Sequence, residues 1–274
     1  MEKLIEKYYR PRLPHIWCPG CGNGIVTSAL MKAVDKLGLN QDKTVVVSGI
    51  GCSSRASGYL DFDTVHSAHG RALPVATGIK LAEPDLNVIV ITGDGDATAI
   101  GGNHFIHAAR RNINLTVIVY NNNIYGMTGG QYSPLTPVGS KATTAPYTTV
   151  ERSFDLAELA KAAGATFVAR GTAFHTQMLV DVMTQALSHD GFSIVEAITQ
   201  CPISYGRQNK LGDAAGMMGW QRDHAVPVEA AKRLTPEQLE EKFLIGVLHK
   251  SEAPEYTKEY DKIIARAQKG AEKK

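Results

Sequence analysis

The sequence predicts an α/β fold, in which a parallel β-sheet is covered by helices on both faces. Runs of β-branched, apolar residues alternate along the chain with stretches that carry apolar residues at three- and four-residue spacing, a pattern typical of this fold class. The chain has 274 residues, and one hydrophobic core can serve roughly 250 to 300 residues. We therefore expect one α/β domain over 1–220 and a C-terminal extension with a charged helical tail over 221–274.

The first half of the chain predicts three strands and two helices. The runs KTVVVSGI (43–50), DTVHS (63–67) and LNVIVIT (86–92) are rich in β-branched residues and predict the strands. Helices are predicted over 24–37 and 72–82, where apolar residues recur every three or four positions. Strands that alternate with helices in this order favour parallel pairing through right-handed crossovers.

The second half continues the alternation and contains one long irregular segment. Residues 127–149 are rich in Gly, Pro, Ser and Thr and lack periodicity, which predicts a functional loop. Strand patterning fades after residue 202, and the charged end of the chain predicts a helix. The remaining predicted elements are helices at 101–111, 154–163 and 175–188, and strands at 115–121, 165–170 and 192–199.

Composition and charge argue against several classes of protein. The net charge of +2 comes from well-mixed acidic and basic residues. The sequence lacks the basic face with interleaved aromatic residues that is typical of nucleic-acid-binding proteins. The N-terminus carries charges throughout instead of the apolar core of a signal peptide, and no run approaches the roughly 18 apolar residues that span a membrane. We therefore expect a cytoplasmic protein that binds neither nucleic acid nor membrane.

Two polar clusters follow predicted strands and indicate a metal site. LNVIVIT is followed at once by Asp94 and Gly95, and LTVIVYN leads directly into Asn122. Because the carboxyl ends of adjacent parallel strands lie at one edge of a sheet, Asp94 and Asn122 can converge there. Their oxygens, with the carbonyl of Ile124, suit Mg²⁺ or Ca²⁺, and Gly95 offers a bare backbone N–H to phosphates. Taken singly, each cluster also fits an ordinary turn.

The four cysteines of the chain indicate a second site at the same edge of the sheet. Cys52 and Cys201 each follow a predicted strand, whereas Cys18 and Cys21 lie in a Pro/Gly loop before the first predicted helix. In a reducing cytosol, cysteines at such irregular spacing are more typical of metal ligands than of disulfides. Four thiolates match both a [4Fe-4S] cluster and a structural zinc, and a single CxxC with two distant cysteines is less typical of zinc.

Taken in order, these motifs resemble a known enzyme family. The GDG at 93–95 followed by the asparagines at 121–122 is similar to the signature of thiamine diphosphate enzymes. Together with CPGCG, GIGCSS, HSAHGRALPVATGIKLA, NNNIYGMTGGQYSPLTP and QCPISYGRQNK, it resembles the β subunits of 2-oxoacid:ferredoxin oxidoreductases. The resemblance covers residues 10–220 and is strongest to the short, separate β subunits of 2-oxoglutarate:ferredoxin oxidoreductase.

The resemblance implies a fold of the thiamine-diphosphate-binding (diphosphate-domain) type and a defined set of cofactors. Asp94, Asn122 and the carbonyl of Ile124 would hold Mg²⁺, and the surrounding loops would bind thiamine diphosphate. Cys18, Cys21, Cys52 and Cys201 would hold one [4Fe-4S] cluster. The implied cofactor-binding residues are Ser53, His69, Gly93, Asp94, Gly95, Asp96, Asn122, Ile124, Gly126, Met127 and Thr128.

The implied reaction is thiamine-dependent oxidative decarboxylation of a 2-oxoacid, with coenzyme A as co-substrate. Electrons would pass one at a time through the cluster to ferredoxin, and a low-potential acceptor keeps the reaction reversible. The resemblance also implies an α subunit that supplies the pyrimidine-binding domain and its glutamate, so that the active site forms between two chains. The preferred substrate is 2-oxoglutarate, with pyruvate or a branched-chain 2-oxoacid as alternatives.

Two further residues are candidates for catalysis. Arg55 follows Cys52 on the same loop and could orient the substrate carboxylate through a forked pair of hydrogen bonds, although a surface arginine is the competing interpretation. His69 lies between a predicted strand and a predicted helix, where it could reach the diphosphate or the reaction centre.

Two other functions remain open from the sequence alone. A non-oxidative thiamine diphosphate decarboxylase needs the GDG and asparagine motifs but no cysteine-bound cluster. An iron-sulfur electron-transfer module needs the cysteines but no thiamine diphosphate site. Visible iron-sulfur absorption and thiamine binding would separate these alternatives from the oxidoreductase.

Overall fold

The computed structural model describes residues 2–271, which fold around one eight-stranded sheet. The strand order is β2-β1-β3-β4-β6-β5-β8-β7. The first six strands in this order are mutually parallel, β8 pairs antiparallel with β5, and β7 pairs parallel with β8. The strands are β1 Thr44–Ser48, β2 Asp63–His66, β3 Asn87–Gly93, β4 Thr116–Asn121, β5 Phe167–Thr172, β6 Ser193–Ile198, β7 Ala225–Pro227 and β8 Phe243–Lys250.

Helices cover both faces of the sheet, because the central strands are apolar on both sides. Val46 of β1 packs with α1, α2, α3 and α7 on one face, whereas Val45 and Val47 pack with α4, α5 and α6 on the other. This alternation is expected of a strand buried on both faces. The helices are α1 Glu2–Tyr8, α2 Asn23–Leu37, α3 Ala56–Tyr59, α4 Ala72–Ala82, α5 Gly102–Arg110, α6 Leu156–Ala162, α7 Thr176–Leu187, α8 Arg207–Asn209, α9 Ala214–His224, α10 Val228–Ala231, α11 Pro236–Leu239 and α12 Tyr256–Ala271.

The order of the strands creates a crevice beside β1. After β1 the chain crosses to β2 on one side, and it then returns to place β3 on the other side of β1. The loops that leave β1 and β3 therefore diverge at their carboxyl ends, and open α/β sheets bind ligands at such points. Short helical turns at Ser53–Arg55 and Asp96–Ile100 follow these two strands and line the crevice.

The six strands and five helices predicted before residue 202 are all present, with small shifts at their ends. The prediction that strands end at residue 202 was wrong, because β7 and β8 extend the sheet after that point. Gly246 lies within β8 with φ +111°, and the pairing of β5 with β8 shifts register between Val168 and Ala169, so the apolar pattern is broken. The proposed boundary at residue 220 stays a prediction. The helical tail is confirmed up to Ala271, and 272–274 lie outside the described residues.

No helix within residues 2–271 is both long enough and apolar enough to cross a membrane.

Candidate active site

The residues singled out in the sequence meet at the carboxyl-terminal edge of the parallel strands. Cys52, His69, Asp94, Asn122 and Cys201 follow β1, β2, β3, β4 and β6, respectively. A pocket of about 480 Å³, including its open mouth, lies at this edge.

Every predicted cofactor-binding residue lines this pocket. Cys52 and Tyr125 line it as well, whereas Arg55 does not. Arg55 is exposed at the end of the turn Ser53–Arg55, so its predicted contact with substrate stays a prediction. The predicted residues that line the pocket are Ser53, His69, Gly93, Asp94, Gly95, Asp96, Asn122, Ile124, Gly126, Met127 and Thr128.

Asp94 is a buried carboxylate at the floor of the pocket. Its side chain is fully enclosed, and burial raises its pKa to about 7. The Ser133 hydroxyl donates a hydrogen bond of 2.5 Å to Oδ2, which partly offsets the effect of burial. Within residues 2–271, no basic side chain forms an ion pair with Asp94. A buried carboxylate without a cationic partner is costly, so this position fits a bound cation.

The turn after β4 presents the other predicted metal ligands. Asn123 has φ +61°, a left-handed conformation that asparagine tolerates, and it reverses the chain between Asn122 and Ile124. The Ile124 N–H donates to Asn122 Oδ1 at 3.2 Å, and Thr136 Oγ1 donates to the Asn123 carbonyl at 2.6 Å. These bonds fix the turn, so the geometry suits hard oxygen ligands held beside Asp94.

Hydrogen bonds to the Asp96 side chain connect the loop that carries His69 to the end of β3. Its carboxylate accepts hydrogen bonds from Gly70 N at 2.7 Å and Thr92 Oγ1 at 2.7 Å, and it contacts His69 Nδ1. Gly49 must lack a side chain, because a Cβ there would stand 1.8 Å from Asp96 Oδ2. His69 is therefore held at the pocket by a buried carboxylate.

Tyr125 lines the pocket as well, although its place within NNNIYGMTGGQYSPLTP did not mark it as a binding residue. Its hydroxyl donates to the Gly95 carbonyl at 2.9 Å, and its ring meets the His69 ring edge-on at 5.7 Å between centroids. A Cβ on Gly95 would stand 2.1 Å from the Tyr125 ring. The second glycine of GDG is thus required for the close approach of an aromatic ring.

The cysteines lie beside the same pocket. Cys52 Sγ and Cys201 Sγ each stand 3.6 Å from the point that a Cβ on Gly126 would occupy. The loop that carries Cys18 and Cys21 is attached to the segment before Cys201, since Gly22 N donates to the Gln200 carbonyl at 3.2 Å. The three cysteine-bearing segments therefore converge, and Gly126 leaves open a space between two of the thiols.

Burial separates these thiols into two kinds. It raises the pKa of Cys21 to about 12 and that of Cys52 to about 11, with the neighbouring cysteines adding to the rise. Cys201 is buried and Cys18 is exposed. Metal binding must therefore displace protons from the inner thiols, and Cys18 lies on the side nearest to solvent.

The spacing of the cysteines bears on the choice between zinc and a cluster. A single zinc ion needs all of its thiolates about 2.3 Å from one point. Across the described part of the chain, no group of three or more His, Cys, Asp or Glu side chains is drawn together closely enough for one ion. A four-iron cluster holds its four thiolates further apart than a single ion does, so this arrangement is compatible with a cluster.

Comparison with known proteins identifies the family. The description "Thiamine pyrophosphate enzyme, C-terminal TPP binding domain" matches residues 49–197. The 2-oxoglutarate synthase subunit KorB of Methanocaldococcus jannaschii is 50% identical over 264 residues, which cover 96% of this chain and 98% of that protein. The KorB of Archaeoglobus fulgidus is 60% identical over 203 residues, covering 74% and 76%. This chain belongs to the KorB family of 2-oxoglutarate synthase subunits.

A solved structure agrees with membership in the KorB family. The 2-oxoglutarate:ferredoxin oxidoreductase from Magnetococcus marinus, with 2-oxoglutarate, coenzyme A and succinyl-CoA bound, matches with a TM-score of 0.86 and 34% identity. The match covers 96% of this chain and 90% of that chain. The predicted fold class and the predicted membership among β subunits of 2-oxoglutarate:ferredoxin oxidoreductases are both confirmed.

The extent of the thiamine-domain match divides the KorB site into two parts. Asp94, Asn122 and Cys52 fall inside residues 49–197, whereas Cys18, Cys21 and Cys201 fall outside. The diphosphate-binding half is therefore common to thiamine pyrophosphate enzymes. Three of the four cysteines belong to segments that flank this common part.

Proposed function

We propose that this chain is the diphosphate-binding subunit of an enzyme that converts 2-oxoglutarate and coenzyme A into succinyl-CoA and CO₂, with ferredoxin as electron acceptor. The observation that carries the proposal is the single pocket in which Asp94 and Asn122 lie beside Cys52. The KorB relatives and the ligands named for the Magnetococcus marinus enzyme support 2-oxoglutarate over pyruvate and branched-chain 2-oxoacids. A non-oxidative decarboxylase would leave the converging cysteines without a role.

Asp94, Asn122 and the Ile124 carbonyl hold Mg²⁺ in this proposal. The uncompensated burial of Asp94 supports it, because a divalent cation would return the carboxylate to its ionised form. The hydrogen bonds within the 121–124 turn support it as well, since they fix the amide and carbonyl before the metal arrives.

Cys18, Cys21, Cys52 and Cys201 hold a [4Fe-4S] cluster. Support comes from the convergence of their three segments beside the pocket. The exposure of Cys18 supports an exit for electrons directly from this subunit to ferredoxin.

When bound, thiamine diphosphate supplies the electron sink for loss of CO₂. Backbone N–H groups of Gly95 and of 126–128 bind the diphosphate, and their N–H donors need no side chain to reach it. Because Asp96 accepts from His69 Nδ1, the imidazole carries its proton there and keeps Nε2 as the atom that binds or moves a proton. Arg55 orients the carboxylate of the 2-oxoacid.

A partner α subunit completes the site with its pyrimidine-binding domain. The subunit designation of the relatives supports a partner chain. The loop that follows the metal-binding turn also supports it, because it exposes large apolar side chains: Val138 (58%), Tyr147 (94%) and Val150 (85%). Monomeric proteins rarely leave such a patch bare.

The test is anaerobic purification of the complex with its co-expressed partner, followed by visible spectroscopy. Bleaching of the iron-sulfur absorption on addition of 2-oxoglutarate with coenzyme A is expected, with little change for pyruvate or a branched-chain 2-oxoacid. A colourless protein that binds thiamine diphosphate would contradict the oxidoreductase. Faster bleaching with pyruvate would support the proposed reaction but would identify pyruvate as the preferred substrate.

A further inference from the structure

Two charged residues lie inside strands that are otherwise apolar. Arg170 of β5 and Glu196 of β6 are paired across the sheet, and their side chains are 10% and 5% exposed. Arg170 Nε donates to Glu196 Oε2 at 2.6 Å. A buried ion pair rarely stabilises a fold more than well-packed apolar residues of the same size would. The pair therefore calls for an explanation beyond stability.

The ion pair is one end of a chain of hydrogen bonds that reaches the proposed metal-binding turn. The other oxygen of Glu196, Oε1, accepts from Asn121 Nδ2 at 2.7 Å, and all of these atoms are buried. The side-chain oxygen of Asn121, Oδ1, accepts from the backbone N–H of Asn123 at 3.1 Å. On the far side, Arg170 Nη2 donates to Asp155 at 2.7 Å, which caps the N-terminus of α6.

The bond from Asn121 to Asn123 acts at the most constrained point of the turn. Asn123 holds the left-handed φ of +61° that turns the chain between Asn122 and Ile124. An asparagine side chain can offer either its oxygen or its NH₂ group to a neighbour. Glu196 decides which, because a carboxylate accepts hydrogen bonds and therefore draws the NH₂ group of Asn121 towards itself. The oxygen of Asn121 is then left for Asn123.

We propose that Glu196, oriented by Arg170, is a positioning residue for the metal site, because it fixes the Asn121 amide that shapes the 121–124 turn. This inference rests on the proposed function, since it takes Asn122 and the Ile124 carbonyl as Mg²⁺ ligands. Glu196 does not bond a proposed metal ligand itself; it acts through Asn121 and the backbone of Asn123. Residues that orient metal ligands typically change metal affinity by about 10- to 100-fold when they are altered, and we expect the lower end of that range here.

The substitution Glu196→Gln separates this role from packing, because it keeps the shape of the side chain. Glutamine has one acceptor oxygen where Glu196 uses two. The charged guanidinium of Arg170 competes best for that oxygen, because hydrogen bonds from charged donors are the stronger ones. The NH₂ group of the glutamine then faces Asn121, whose amide must turn over and lose its bond from Asn123.

A second change should undo the first. In the double variant R170M/E196Q the glutamine oxygen is free to face Asn121, so the turn regains its hydrogen bond although the ion pair is gone. Metal affinity should then recover while thermal stability does not. A merely structural role would make the double variant worse in both respects.

The experiment measures binding of Mn²⁺, used in place of Mg²⁺, to the αβ complex in the presence of thiamine diphosphate, with free Mn²⁺ followed by electron paramagnetic resonance. Glu196→Gln should weaken Mn²⁺ binding by about 10-fold or more, with iron content unchanged, and R170M/E196Q should return to within about threefold of the wild type. Mn²⁺ binding by Glu196→Gln within about twofold of the wild type would overturn the proposal.

Two controls separate failure of the inference from failure of the proposed function. Thr166→Val removes a buried hydrogen bond of 2.9 Å to Asn112 near the opposite end of β5, so it should lower stability and leave Mn²⁺ affinity unchanged. Asp94→Asn should abolish Mn²⁺ binding; if it binds like the wild type, the metal site itself is wrong. Should Glu196→Gln fail to fold, Asn121→Ser breaks the same link, and unchanged affinity there would equally refute the inference.

Discussion

The two halves of the candidate site differ in how far the fold alone has shaped them. The diphosphate half, formed by 93–96 and 121–124, has its carboxylate, amide and carbonyl groups fixed by hydrogen bonds from neighbouring strands and loops. The cysteine half draws its thiols from three separate segments, and the pKa values of Cys21 and Cys52 are raised by burial. The first half is preorganised, whereas the second depends on the group that it binds.

Two proposed metal sites of different chemistry thus share one edge of the sheet. Mg²⁺ demands near-octahedral oxygen geometry and gains from ligands that are already in place. Thiols that are protonated until metal arrives leave the apo protein without a cluster of buried charges. We therefore expect the diphosphate half to bind thiamine diphosphate even when the cysteines are altered.

The strongest test removes the buried charge of the diphosphate half. Asp94→Asn is expected to weaken thiamine diphosphate binding by at least about 100-fold, because it removes the one carboxylate among the proposed Mg²⁺ ligands. Isothermal titration calorimetry on the αβ complex measures this, with the exposed substitution Asp181→Asn as the control. Iron content should stay unchanged, and a parallel loss of iron would show that the two halves are not independent.

The second test acts on the cysteine half. Cys201→Ser should abolish the visible iron-sulfur absorption, because this buried residue is one of the four proposed cluster ligands. Cys18→Ser should reduce iron content less, since solvent can reach that position. In both variants, thiamine diphosphate affinity should remain within about threefold of the wild type. A larger loss of thiamine affinity would contradict the separation of the two halves.

A third test varies the pH and so changes the protonation of Asp94. Because burial raises the pKa of Asp94 to about 7, a proton competes with Mg²⁺ below that pH, and metal affinity should fall by about tenfold per pH unit. Without metal, folded Asp94 keeps its proton up to about pH 7, whereas the unfolded chain loses it near 3.8. Stability of the metal-free protein should therefore fall as the pH rises from 4 to 7, and Mg²⁺ should restore it.

Thermal melts of the wild type and Asp94→Asn, with and without Mg²⁺, measure this effect. The variant should melt at a higher temperature than the metal-free wild type at pH 8, because it carries no buried charge. Equal melting temperatures of the metal-free wild type and the variant at pH 8 would mean that ionised Asp94 does not destabilise the fold. Mg²⁺ would then not be needed to neutralise a buried charge.

Most of the fold could be predicted from the sequence, because five of the six parallel strands are buried and rich in apolar residues: β1, β3, β4, β5 and β6. β8 could not, since it is an antiparallel strand interrupted by Gly246, and its pattern is neither continuous nor alternating. Likewise, residues that follow strands at their carboxyl ends were predictable from parallel topology alone.

Side chains that reach the site from other segments were harder to predict. Tyr125 and Ser133 lie near the predicted motif, but only the folded loop brings the Tyr125 ring to Gly95 and the Ser133 hydroxyl to Asp94. Glu196 and Arg170 did leave a signal, because each is a charge inside an apolar run. A charge in such a strand is a departure from the local pattern, and departures of this kind often mark functional positions.

The smallest effect is expected from Ser133→Ala, which removes the hydroxyl that donates to Asp94 Oδ2 at 2.5 Å. Losing one hydrogen bond to a buried charge is worth about 1.5 kcal/mol, so Mg²⁺ affinity should fall by about tenfold or less, and the pKa of Asp94 should rise further. Titration of Mg²⁺ at two pH values measures both changes, with Ser188→Ala at the end of α7 as the control. If Mg²⁺ affinity falls equally at pH 6 and pH 9, the Ser133 hydroxyl acts by positioning its loop and not through the charge of Asp94. Preorganisation of the diphosphate half would then depend on the turn after β4 alone.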